Sequence, residues 1–148
     1  MKDSEADARR WLRQAENDLE FGRLAVREEF FAQACFVSHQ VVEKSLKARA
    51  YYRGDRIVVG HSLIELVTRL ESTSPKVSSL ISIARTIEQY YVPARYPNAL
   101  PGSAPFEVFG QKPVQRSGGR RRGGSPTGQR PYRVRPVPVL DAALLVLL

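Results

Sequence analysis

Four side chains able to do chemistry punctuate the stretch ACFVSHQVVEKSLKARAYYRG, residues 34–54: His39, Glu43, Lys44 and Lys47. Gln40, Glu43, Lys44 and Lys47 follow the i, i+3, i+4, i+7 spacing of one helix face, and His39 precedes Glu43 by one turn. A lone histidine there is a candidate base or ligand. Nothing beside it completes a metal-ligand set, so no metal and no cofactor is expected. The two lysines suit phosphate as point charges. The plain alternative is a solvated face, because Glu43 and Lys47 stand in the order that stabilises an isolated helix.

Two more stretches carry candidate chemistry. In YYVPARYPNA, Arg95 offers a guanidinium fork for phosphate, and Tyr91 and Tyr96 offer rings for stacking on a base. A loop folding back over the second helix would bring Arg95 to Lys44 and Lys47. The competing reading packs that loop on the bundle and pairs Arg95 with Glu43. In RIVVGH, Arg56 and His61 stand five positions apart. His61 lies beside Gly60 and directly before a helix start, so its plain role is helix entry. PGSAPF lacks the lysine and Ser/Thr of a phosphate loop.

The elements that must position these residues are helical. From about Ser4 to Glu28, Ala8, Trp11, Leu12, Ala15, Leu19, Gly22 and Val26 recur at spacings of three and four, which predicts one buried stripe. Arg9, Arg13, Glu16, Glu20, Arg23 and Arg27 occupy a charged, solvated face. The second helix is predicted from about Phe30 to Tyr52, with Gly54 ending it. Ser38 and Ser45 lie near the centre of its apolar half, where a neighbouring helix can approach closely. Ser62 and Glu65 form a capping box that opens a third helix, with Leu63, Leu66, Val67 and Leu70 inward. Ser74 and Pro75 open a fourth, with Val77, Leu80, Ile81, Ala84, Ile87 and Tyr91 inward and Pro93 as its stop. Residues 93–110 read as a Pro/Gly-punctuated loop. No stretch alternates as a strand does. The expected fold is all-α, an antiparallel bundle of four helices.

Charge divides the chain in two. Of its 148 residues, the first 110 carry 15 Lys/Arg against 14 Asp/Glu, a net +1; residues 111–148 carry 8 against one, a net +7. The basic character therefore belongs to the tail, and the 1–110 body is no general nucleic-acid binder by charge. The tail holds five Pro and five Gly between Gln111 and Val139 without a helical period. Such a segment buries too little apolar surface to offset its ordering entropy. Three readings fit it: a disordered RNA-binding arm, a linker, or out-of-frame translation of a GC-rich gene. The abrupt change of composition favours the third. The single cysteine, Cys35, forms no internal disulfide and reads as buried. The charged N-terminus is no signal peptide, and VLDAALLVLL is too short to span a membrane. A soluble, cytoplasmic protein is expected.

Taken in order, ARRWLRQAENDLEFGRLA, SHQVVEKSLKARAYYRG, GHSLIELVTRL and YYVPARYPNA resemble the HEPN domain family over about residues 6–110. The resemblance does not extend to residues 111–148, where the family's fifth, C-terminal helix would lie. It implies an all-α bundle, often a homodimer, commonly encoded beside a small nucleotidyltransferase in a toxin–antitoxin-type module. Some members are metal-independent ribonucleases that use an arginine and a histidine four to six residues later; others bind nucleotides or act as the non-catalytic partner. Arg56 and His61 formally fit that motif but precede the helix that would carry it, and Arg85 is followed by Tyr90 instead of histidine. A binding function is therefore expected over catalysis. Lys44, Lys47, Arg95, Tyr96 and His39 are the expected nucleotide- or RNA-phosphate site, and Arg56 with His61 the alternative catalytic pair.

Overall fold

A computed structural model describes residues 3–71 and 80–110; the tail and the predicted start of the fourth helix at Ser74–Pro75 lie outside them. Helix α1 runs Ser4–Arg27, α2 Phe31–Tyr52, α3 Leu63–Glu71, α4 Ile81–Glu88 and α5 Pro105–Val108. No strand occurs among the described residues.

Helix α1 starts at Asp3, whose side chain accepts the N–H groups of Glu5 and Ala6. That satisfies two donors the helix itself leaves unpaired. Its buried face is the small-residue stripe Ala8, Ala15, Leu19, Gly22 and Ala25, against which α2 lies along most of its length. The two helices are antiparallel because only Glu28–Phe30 separate them. Phe30 N–H donates to Ala25 O and Glu29 N–H to Val26 O, the paired bonds of a helix-ending Schellman turn. Its left-handed position is taken by Glu29, at φ 63°, instead of glycine. The same bonding ends α2, where Gly54 fills that position at φ 102° as its sequence predicts.

Helix α2 is central and is packed by α1, α3, α4 and α5. Its buried residues surround most of its circumference, including Val41, Val42 and Leu46 and also His39, Glu43 and Lys47. Of the polar stripe that could have been a solvated face, His39, Glu43 and Lys47 are thus interior, while Gln40 and Lys44 are half-buried. Ser38 and Ser45 are buried as expected, their hydroxyls donating to Ala34 O and Val41 O one turn back. Burial pushes the Cys35 thiol up to about 12.

Helix α3 buries Leu63, Leu66, Val67 and Leu70, and Ser62 Oγ accepts the N–H of Glu65. Helix α4 ends at Glu88, five residues before Pro93. Tyr90 N–H turns back to Ile87 O, tightening the chain by one residue. That shift carries Tyr90 into the core in place of Tyr91, which stays half-buried. The segment read as a loop, 93–110, contains a 3-10 turn at Pro97–Ala99 and α5. Leu100 and Phe109 anchor it in the core, Phe109 edge-on to Tyr90 at 6.0 Å.

Candidate functional site

Three successive turns of α2 carry His39, Glu43 and Lys47, and the loop before α3 brings His61 onto the same carboxylate. Glu43 Oε1 accepts from Lys47 Nζ at 2.8 Å and lies 3.0 Å from His61 Nδ1. Glu43 Oε2 is 3.8 Å from His39 Nδ1, beyond hydrogen-bond reach. The Lys47 ammonium also sits 5.2 Å from the Trp11 ring centroid. Lys47 and Glu43 are therefore a buried, mutually neutralised pair.

His39 is 1% exposed, and neither ring nitrogen has a hydrogen-bond partner among the described residues. Burial lowers its pKa to about 4, outweighing the opposite pull of Glu43 and Glu88; Arg95 and His61 add to the lowering. At neutral pH the ring is uncharged, with one nitrogen donating and the other accepting.

His39 lines a pocket of about 400 Å³ together with His61, Ser62, Glu88, Gln89, Tyr91, Val92 and Pro93. The Tyr91 ring lies 4.4 Å from that of His39 and 6.2 Å from that of His61, nearly parallel to the latter at 14°. Glu88 accepts the Ile64 N–H through Oε2 at 3.0 Å, tying the end of α4 to the first turn of α3. Ser62, which caps that turn, stands beside it. The pocket is thus assembled where α2, the start of α3 and the end of α4 meet.

Arg95 stands behind Tyr91. Its guanidinium lies 4.6, 4.3 and 4.8 Å from the ring centroids of Phe36, Tyr91 and Tyr96, and its Nε donates to Tyr91 O. Stacking of this kind holds the guanidinium plane fixed while its charge stays available at the edge.

The expected site residues therefore divide. His39 and His61 share the pocket. Lys47 supports it through Glu43, and Arg95 with Tyr96 flanks it through Tyr91. Lys44 turns instead to Asp18 on α1 and forms an ion pair there. The pairing of Arg95 with Glu43 is replaced by the aromatic sandwich around Arg95 and by Lys47 and His61 on Glu43. Arg56 is exposed and does not line the pocket, although His61 does. Sequence reasoning missed Glu88. Its one local signal is a carboxylate in the last turn of a helix, where the macrodipole disfavours negative charge. Among the described residues no group of three or more His, Cys, Asp or Glu side chains is placed to hold a metal ion, and no helix is long and apolar enough to cross a membrane.

No curated protein matches the chain. Among solved structures, TT1696 from Thermus thermophilus aligns with a TM-score of 0.72 and 27% identity, over 95% of this chain and 92% of that one. ST0689, an archaeal HEPN homologue, aligns with a TM-score of 0.63 and 26% identity, over 99% and 93% of the two chains. The HEPN domain model matches residues 8–112, the span that contains all five helices but the first turn of α1. With the all-α fold and that match in agreement, the chain belongs to the HEPN domain family.

Proposed function

We propose that this chain is a nucleotide- or RNA-phosphate-binding HEPN protein that works as a homodimer beside a small nucleotidyltransferase, in a module of toxin–antitoxin type. The observation that carries the binding role is His39, a buried, uncharged imidazole with both nitrogens unpartnered at the wall of a 400 Å³ pocket. A buried polar group normally finds a partner in the protein or in solvent, so one left open at a cavity marks a place for a ligand. Membership of the family and the stacked Arg95 beside the pocket support the phosphate part of the reading. The partner and the module rest on what such proteins commonly accompany. Calorimetric titration of the chain with nucleoside monophosphates and a short single-stranded RNA tests the binding role. Binding weakened by about tenfold in His39→Ala and Arg95→Ala is expected. Absence of binding to both ligand types rejects it. Co-expression with a nucleotidyltransferase encoded next to the gene, followed by size-exclusion chromatography, tests the partner.

A second reading, a metal-independent ribonuclease, gains from one observation: His61 lies on Glu43 in the same pocket as His39. A carboxylate behind an imidazole fixes its orientation and tautomer, which suits a general base acting on a 2′-hydroxyl. Under this reading the unaltered chain cleaves RNA and His61→Ala abolishes that cleavage, while under the binding reading the unaltered chain cleaves none.

A further inference from the structure

The pocket and the cations of this protein do not coincide. Among the described residues, no lysine or arginine lines the cavity. Lys44 is paired with Asp18 and Lys47 with Glu43, so neither ammonium is available to an anion. The charged group that does face the space is a carboxylate. Glu88 is on the wall, and Glu43 lies behind the two histidines, with its Oε2 buried and without a hydrogen-bond partner. A phosphate entering here would meet the Glu88 carboxylate with no lysine or arginine on the described wall to offset it, which a partly enclosed site penalises.

The same walls suit an uncharged, flat, nitrogen-rich ring. His61, with a side chain 65% exposed and its ring nearly parallel to that of Tyr91, presents a face on which such a ring can stack. The two ring nitrogens of His39 diverge and Nδ1 is turned toward Glu43, so one nitrogen is left for a ligand, as an N–H that donates, and Glu88 offers an acceptor. That set complements a ring edge carrying an exocyclic amine next to a ring nitrogen. Adenine, cytosine and guanine all carry an exocyclic amine; uracil presents carbonyl oxygens in its place. Arg95 sits just outside, its guanidinium held by the Tyr91 and Tyr96 rings.

We propose that the His39–Glu88–Tyr91 pocket is a subsite for an amine-bearing nucleobase, with the phosphate left outside the cavity at Arg95. The inference rests on the nucleotide-binding reading above and reverses its emphasis: recognition comes from the base and not from the phosphate. Selectivity then lies in Glu88 and His39, and charge contributes only at the rim.

Calorimetric titration of the full chain with adenosine, cytidine, guanosine, uridine, their 5′-monophosphates and ribose 5-phosphate decides it. At least one amine-bearing nucleoside should bind within about tenfold of its own monophosphate, and uridine at least about tenfold more weakly than that nucleoside. Ribose 5-phosphate should not bind. Arg95→Gln should weaken the monophosphate and leave the nucleoside unchanged. Glu88→Gln keeps an oxygen for the Ile64 N–H, so α3 stays tied to α4, and it should erase the preference over uridine. Circular dichroism of each variant establishes that it is folded. If ribose 5-phosphate binds as tightly as the nucleotides, or uridine binds as well as the amine-bearing nucleosides, the base subsite is wrong and the nucleotide-binding reading survives. If no nucleoside, nucleotide or RNA binds, both fail together.

Discussion

On α1, Arg9 pairs with Glu5 and Arg23 with Glu20, one turn apart and open to solvent. On α2, Lys47 pairs with Glu43 at the same kind of spacing, with side chains only 6% and 5% exposed. The two patterns look alike along the chain, and local helix chemistry treats them alike. The difference is what packs on them. Helix α1 packs chiefly on α2 and keeps a wet face. Helix α2 is packed by four helices, so its charges had to be neutralised within the interior. An exposed pair of this kind is worth little because water already solvates both ions. A buried pair costs much to desolvate, and removing one partner leaves the other stranded. Charge spacing at i,i+4 therefore says nothing of energetic weight until the neighbours are known.

The largest effect that contrast predicts is at Lys47. Lys47→Ala should lower the unfolding free energy by about 3 kcal/mol or more, read from urea denaturation at pH 7, because Glu43 is left charged in the interior. The double change Glu43→Leu with Lys47→Met should recover most of that loss. A recovery that fails would mean the pair does more than neutralise itself.

Next is the pH dependence carried by His39. Its pKa is lowered from 6.5 to about 4, so the unfolded chain binds the proton more tightly than the folded one. Stability from this group is complete above pH 6.5, is lost as the pH falls from there towards 4, and does not change further below. The displacement corresponds to about 3 kcal/mol. In His39→Asn, urea midpoints measured from about pH 4 to about pH 7.5 should fall less steeply than in the unaltered protein. Equal slopes would mean that His39 titrates normally and that the pocket wall is wetter than its burial implies.

The Lys44–Asp18 pair joins α1 to α2 and lies between the two extremes, with side chains 21% and 18% exposed. Lys44→Ala should cost about 1 kcal/mol, visible as a small fall in Tm. The smallest effect belongs to α1. Arg23→Ala should change stability by less than about 0.5 kcal/mol and become harder to detect as salt is raised. A larger loss there would undo the comparison, since it would make an exposed pair count like a buried one.

The helices themselves are legible because their signals are local. Ser62 caps, Gly54 takes a left-handed φ, and the α1 stripe repeats every three or four residues. Two local readings fail for reasons that are tertiary in origin. The periodicity of α4 places Tyr91 inward only if the helix runs on to Pro93. The tightened turn after Glu88 gives that place to Tyr90 and leaves Tyr91 for the pocket. Residues 93–110 offer only Pro and Gly as punctuation, yet Leu100 and Phe109 supply enough apolar anchorage to dock them on the bundle. The candidate site is legible by residue type at His39, His61, Tyr91 and Arg95, and illegible in its partnerships. Lys44 and Lys47 look like free cations because a sequence does not show which carboxylate a flexible side chain will find.

By itself, then, the sequence determined the class of fold, the approximate limits of the first two helices and the start of the third, the faces of α1 and α3, and the residues from which a site could be made. Those features depend on periodicity, capping and turn chemistry, which act within a few residues. Only the tertiary structure decided that α2 is enclosed around most of its circumference, that Glu43 is shared by Lys47 and His61, and that His39 is left uncharged and unpartnered beside a cavity without cations among the described residues. Burial sets the solvation cost of each of these groups, and burial is a property of what the rest of the chain brings to them.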